Sequence, residues 1–229
     1  MKMKQKLVAG AIALSAMAGF SVPAAHAEVS AAVGAANMYY WRGADLGGGD
    51  AQVWGDLKVS GSGFYAGLWG ASGDAVSGQE YDVYAGYGGS AGDFKYDLSV
   101  WSYVYPDSEI SVGDAVEVVG MIGYGPIAFT YYEGLEDLEE YSYMTLAATF
   151  GQFTIKYGQH DGTVANAAGV GIDPAHIDLT YAYNEKLSFT LGKVVDDGEF
   201  TVADGEGGEV KSAWNDEVKF VVSLTLPIE

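Results

Sequence analysis

Twelve stretches of this chain alternate apolar and polar residues with a period of two, and the connections between them alternate short and long. Phe94, Tyr96, Leu98 and Val100 interleave with Lys95, Asp97 and Ser99. Phe153, Ile155 and Tyr157 interleave with Thr154 and Lys156, and Ile177, Leu179 and Tyr181 with His176, Asp178 and Thr180. Val218, Phe220, Val222, Leu224 and Leu226 set the same rhythm near the end. A period of two puts one apolar and one polar face on a strand. The segments fall at 29–42, 51–60, 63–72, 80–88, 93–104, 115–124, 126–133, 140–150, 152–159, 176–183, 186–195 and 217–226. The short connections are Gly61-Ser62, Gly89 to Gly92, Gly125, Gly151 and Asn184-Glu185. The long ones span 43–50, 73–79, 106–114, 134–139, 160–175 and 196–216. An even number of strands, with tight turns at one end and long loops at the other, predicts an all-β fold. Its form is a single transmembrane antiparallel up-and-down β-barrel of about 12 strands.

The N-terminus is an address. Lys2, Lys4 and Lys6 precede an apolar run from Leu7 to Phe20, and Ala25-His26-Ala27 is an A-x-A cleavage motif. This is the pattern of a cleavable secretory signal peptide at 1–27, with 28–229 as one barrel domain. A single-span anchor is the competing reading, but the run is short for one. Beyond it no apolar stretch reaches the ~20 residues of a membrane helix.

Composition narrows the function classes. Asp and Glu number 31 against 11 Lys and Arg, a formal charge of −20, which argues against a nucleic-acid partner. The absence of Cys excludes disulfide scaffolds and thiolate zinc modules. With 17 Tyr and 9 Phe the chain is too aromatic for intrinsic disorder. Aromatics gather near the predicted strand ends. Tyr39, Tyr40, Trp41, Trp101, Tyr103, Tyr105, Tyr131, Tyr132, Tyr141 and Tyr143 lie toward the long loops. Phe64, Phe94, Phe153, Tyr181 and Tyr183 lie toward the tight turns. Two belts around an aliphatic middle fit an interfacial girdle, although Tyr and Phe are also simply good strand formers.

Several stretches resemble the TorF family of outer-membrane porins. They are Tyr39-Tyr40-Trp41-Arg42-Gly43, Gly63-Phe64-Tyr65-Ala66-Gly67-Leu68-Trp69-Gly70, and Tyr81-Asp82-Val83-Tyr84-Ala85-Gly86-Tyr87 with Gly92-Asp93-Phe94-Lys95-Tyr96-Asp97. Tyr103-Val104-Tyr105-Pro106, Gly123-Tyr124-Gly125-Pro126 and Phe220-Val221-Val222-Ser223-Leu224 add to the likeness. The resemblance implies a bacterial outer-membrane barrel with a channel, and supplies no substrate or binding residues. The closing Leu226-Pro227-Ile228-Glu229 departs from the terminal aromatic residue usual in such barrels.

If the polar face lines a lumen, its ionisable groups are Asp56, Lys58, Asp82, Lys95, Asp97, Glu117, Lys156, His176, Asp178, Lys186 and Lys219. These pore-lining candidates either guide a polar solute or, as the simpler reading, pair across the lumen, because isolated buried charge is costly. Most of the acidic residues fall in the long connections, notably Glu133 to Glu140 and Asp196 to Glu209. Such loops suit contact with divalent cations, lipid and lipopolysaccharide, or the steering of cations, but they lack EF-hand spacing. No nucleophile motif accompanies His160 or His176, so no catalytic residue, cofactor or metal centre is expected. The reading is a non-enzymatic channel in the outer membrane of a Gram-negative bacterium, passing small hydrophilic solutes by diffusion. The alternatives are a non-conducting barrel whose acidic loops serve binding, adhesion or envelope integrity, and a secreted soluble β-sandwich.

Overall fold

The computed structural model describes residues 27–164, 170–171, 173–196 and 214–228, so the signal segment and the acidic run 197–209 lie outside the described residues. Twelve long strands follow one another. They are β1 (Glu28–Ala36), β2 (Gln52–Gly61), β3 (Phe64–Asp74), β4 (Gly78–Ala91), β5 (Phe94–Tyr105) and β6 (Ile110–Tyr124). Then come β7 (Ile127–Glu136), β8 (Tyr141–Phe150), β9 (Phe153–Val164), β10 (Ala175–Ala182), β11 (Leu187–Asp196) and β12 (Lys219–Ile228). Each pairs antiparallel with its neighbours in sequence, and β1 pairs with β12 from Ala31↔Ile228 to Ala36↔Ser223. The sheet therefore closes into an up-and-down barrel with no free edge.

The tight turns explain the closure at one end. Gly61 pairs with Phe64 across Ser62 (φ 52°) and Gly63 (φ 86°), the doubly left-handed geometry of a type I′ hairpin. Phe150 pairs with Phe153 across Gly151-Gln152, with Gly151 at φ 62° in the first loop position. The predicted loop at Gly89 to Gly92 is shorter than expected, because Gly89, Ser90 and Ala91 still pair with Tyr96, Lys95 and Phe94. At the other end the walls run on past the alternating segments. β6 begins at Ile110, β7 reaches Glu136, and β9 carries His160 to Val164, where a short strand Val170–Gly171 pairs with it.

The first predicted strand is the main correction. The alternation suggested strand to residue 42, but β1 stops at Ala36. Asn37 ends it. Its backbone N–H donates to the Val222 carbonyl (3.2 Å), its side-chain amide donates to the Phe220 carbonyl (2.9 Å), and its side-chain oxygen accepts from the Val222 N–H (2.6 Å). One side chain thus continues the β12 ladder while the main chain turns into the barrel.

The two faces are inverted relative to a soluble protein. Leu57, Leu68, Leu98, Leu146, Ile155 and Leu179 are exposed on the outer wall, while Asp82, Glu117, Asp178 and Lys219 are buried inside. Val218 (61% exposed) and Phe220 (49%) face outward, as does Leu224. A β-sandwich would bury these apolar faces between two sheets; a single closed sheet has none to cover them. At the tight-turn rim Phe64, Tyr87, Phe94, Tyr124, Phe150 and Phe153 form an outer aromatic ring, with Phe64 and Tyr87 4.7 Å apart. The expected second belt is largely inside. Of its ten residues Tyr131 faces outward, whereas Tyr39, Tyr40, Tyr132, Tyr141 and Tyr143 are buried in the lumen. Parity decides this. Tyr141 and Tyr143 share a face with the inward Thr145, and Trp101, Tyr103 and Tyr105 share one with Asp97 and Ser99.

Candidate functional site

The wide-loop half of the lumen is filled by the chain between β1 and β2. Tyr40–Trp41 and Ala44–Asp45 form a small hairpin inside the barrel. Its turn residues, Arg42 (φ 46°) and Gly43 (φ 90°), are both left-handed, as a two-residue type I′ turn demands. The hairpin is fixed behind by Leu46 N–H to the Tyr39 carbonyl (2.8 Å) and by Ala75 N–H to the Leu46 carbonyl (2.9 Å). A Cβ on Gly43 would stand 2.9 Å from the His176 Cβ. Gly43→Ala is therefore expected to cost about 2 kcal/mol, from the strained φ and the contact together. Urea unfolding of the refolded barrel measures it.

Arg42 is the centre of this arrangement. Its Nη1 donates to Glu117 Oε1 (2.7 Å) and its Nη2 to Glu117 Oε2 (2.6 Å), a bidentate fork. The guanidinium carbon sits 4.3 Å from the Tyr132 ring centroid, 4.5 Å from Trp41, 4.7 Å from Tyr143 and 5.7 Å from Tyr141. These distances are within cation–π range. Burial is the largest single influence and works against the charge, but Glu117 together with Tyr141 and Tyr103 offsets it and holds Arg42 well above the usual guanidinium range.

A closed ring of hydrogen bonds locks the turn. Arg42 Nη1 donates to the Tyr141 hydroxyl (3.0 Å). The Tyr141 hydroxyl lies 2.9 Å from His160 Nδ1, and His160 Nε2 lies 2.8 Å from the Arg42 carbonyl. A carbonyl only accepts, so Nε2 carries the proton, Nδ1 accepts from Tyr141, and His160 is neutral. Trp214 Nε1–H donates to the same carbonyl (3.2 Å).

Two further carboxylates hold the strand before the turn. The Tyr40 hydroxyl donates to Asp178 Oδ1 (2.6 Å), which also accepts from His176 Nδ1 (3.0 Å), while Lys156 Nζ pairs with Asp178 Oδ2 (2.8 Å). The Tyr143 hydroxyl donates to His176 Nε2 (2.8 Å). On the opposite wall, the Tyr39 and Tyr105 hydroxyls donate to Glu80. Glu80, Glu117 and Asp178 come from β4, β6 and β10, so the hairpin is held from three sides.

The pore-lining candidates separate into three groups. Asp82, Glu117, Lys156, His176 and Asp178 meet in the upper lumen around the hairpin. Asp56, Lys58 and Asp97 lie lower, where Tyr84 donates to Asp56 and Tyr65 to Asp97, each at 2.7 Å. Lys95 and Lys186 are exposed at the tight-turn end, and Lys219, near the wide mouth, donates to the carbonyl and side-chain oxygens of Asn215. Pairing across the lumen thus draws on more than Lys and carboxylate. The ion pairs between these groups include Lys156–Asp178 and the His176–Asp178 contact. Tyrosine hydroxyls donate to Asp56, Asp97 and Glu117, which a count of charges could not disclose.

Sequence reasoning missed Arg42, Glu80 and His160, leaving the first two at the ends of predicted strands and His160 in a long loop. The available signal was the Tyr39-to-Gly43 stretch, where Asn37-Met38 breaks the alternation and Arg42-Gly43 supplies a hairpin turn. The inner face also spends glycine on room. Trp54 lies where a Cβ of Gly34 would be, and Tyr84 where one of Gly67 would be. Among the described residues no three His, Asp or Glu side chains are arranged to hold a metal ion.

No curated protein matches the chain. A family model does, over residues 21–204, and by that match the chain belongs to Gcw_chp, a family of bacterial proteins of unknown function.

Proposed function

We propose that the protein is a channel of the bacterial outer membrane, exported by the signal peptide and cleaved after Ala27, which passes small hydrophilic solutes by diffusion. The observation that carries this reading is the inversion of faces. A closed single sheet with Leu57, Leu68, Leu98 and Leu179 outside and Asp82, Glu117 and Asp178 inside suits lipid around it and water within. The resemblance to the TorF porins points the same way. The outer wall then meets lipid and lipopolysaccharide, and the exposed acids Glu133, Glu136, Asp137 and Glu139 favour cations, divalent ones included, at the wide mouth. No covalent chemistry is assigned to any residue; the lumen groups set size and charge preference.

Planar bilayers holding the purified full-length protein test this. Discrete conductance steps with a cation preference are expected, and the preference falls when salt rises and screens the loop carboxylates. A refolded closed barrel without steps, in its native form and with the lumen hairpin removed, overturns the channel. The hairpin itself favours the second reading, a non-conducting barrel whose acidic loops bind or protect at the surface. In that case both forms stay silent.

A further inference from the structure

We propose that the wall pocket holding Arg42 is a receptor site for solutes bearing a guanidinium group, occupied in this closed state by the barrel's own arginine. The inference rests on the channel reading and names its solute class.

The receptor is built by the wall, not by the hairpin. Glu117 comes from β6, Tyr132 from β7, and Tyr141 and Tyr143 from β8. These four supply the carboxylate fork, the Tyr141 hydroxyl and three of the four ring faces around the guanidinium; Trp41 is the hairpin's own contribution. Two N–H···O bonds to one carboxylate, with rings at cation–π distance, match a flat forked cation. A compact ammonium could not make the two-toothed fork.

The site also holds a buried acid that its occupant does not reach. Asp82 is 4% exposed, and its Oδ1 has no hydrogen-bond partner among the described residues. It stands opposite Tyr103, whose hydroxyl donates to Glu117. The buried Tyr132 hydroxyl is likewise without a partner among the described residues. Buried polar groups left without a partner are costly unless a ligand group reaches them. A solute with a second cationic group beside its guanidinium would reach Asp82 where Arg42 does not. The acidic rim above the mouth concentrates such solutes. An incoming guanidinium that takes the fork on Glu117 displaces Arg42 and loosens the turn that closes the lumen.

Agmatine, a guanidinium on a four-carbon amine, is the probe, and neutral butylurea its control. Calorimetric titration into the full-length barrel in detergent micelles requires no conduction, so it stands apart from the bilayer test. The native barrel is expected to bind agmatine saturably. Arg42→Ala is expected to bind it roughly tenfold tighter or better, because a tethered competitor of millimolar effective concentration is gone. Adding Glu117→Gln to that variant is expected to remove the gain, and butylurea is expected not to bind. If Arg42→Ala does not refold, a barrel with Met38–Ala51 replaced by one glycine empties the same pocket and replaces it. No saturable binding to the native barrel, equal affinity in native and emptied forms, or indifference to Glu117→Gln each overturns the proposal. Conduction without agmatine binding would overturn this site and leave the channel standing.

Discussion

Replacing Met38–Ala51 with a single glycine is expected to convert a narrow or closed barrel into an open one, with single-channel conductance rising several-fold. The wall permits the cut. Ala36 and Gln52 are direct partners in the β1–β2 ladder, so the chain ends to be joined already lie side by side. Retaining Asn37 and adding glycine leaves Asn-Gly between paired residues, the preferred two-residue hairpin turn. The twelve-strand ladder stays intact, including the β1–β12 seam that closes it. What leaves is Tyr39, Tyr40, Trp41, Arg42 and Leu46, the side chains that fill the wide-loop half of the lumen. Their partners Glu80, Glu117 and Asp178 then face water and are hydrated instead of paired, so a stronger cation preference accompanies the larger conductance. Bilayer recordings of the native and shortened proteins, both verified as refolded by circular dichroism, measure it. Equal conductance in the two would mean that the hairpin does not obstruct the path.

The wall of the barrel was legible in the sequence because a sheet face obeys a local rule. One residue points in and the next points out, so Leu98 and Asp97, or Leu179 and Asp178, declare their sides without any knowledge of the rest of the fold. The tight turns are equally local, since Ser62-Gly63 and Gly151 need a left-handed backbone. The inward hairpin follows no such rule. Tyr39, Tyr40 and Trp41 keep an apolar pattern compatible with strand or girdle, and what draws them inside are partners far away in the chain: Glu80, Glu117, His160 and Asp178. Composition misled in one way. Counting five acids against five lysines suggested salt bridges, but a tyrosine hydroxyl can satisfy a carboxylate as well, and Tyr40, Tyr65, Tyr84, Tyr103 and Tyr105 do so. Much of the tyrosine content therefore belongs to the lumen, and only part to the outer rim.

Arg42→Ala is expected to be the most destabilising single change in the hairpin, at about 3–5 kcal/mol, because it leaves Glu117 buried without its cation. Glu117 is 1% exposed, so water cannot readily replace the lost fork. Tyr103 remains as a donor to it, which sets the loss below that of a fully orphaned charge. Glu117→Gln in the same chain removes the stranded charge, and the double variant is expected to recover a substantial part of the loss, as a double-mutant cycle would report. Arg42→Gly provides an internal check on the backbone. Its φ of 46° is left-handed, a conformation glycine adopts freely, so Arg42→Gly is expected to lie about 1 kcal/mol above Arg42→Ala in stability. Both lose the same fork and the same ring contacts, and they differ only in the strain at that position. Urea unfolding in detergent, followed by tryptophan emission, reads the native barrel, the two single variants of the cycle, their double variant and Arg42→Gly. If Arg42→Ala proved neutral while the barrel stayed folded, the guanidinium would not be holding the hairpin, and the closure would have to be assigned to Tyr39, Tyr40 and the bonds of His160 and Trp214 to the backbone carbonyl of residue 42.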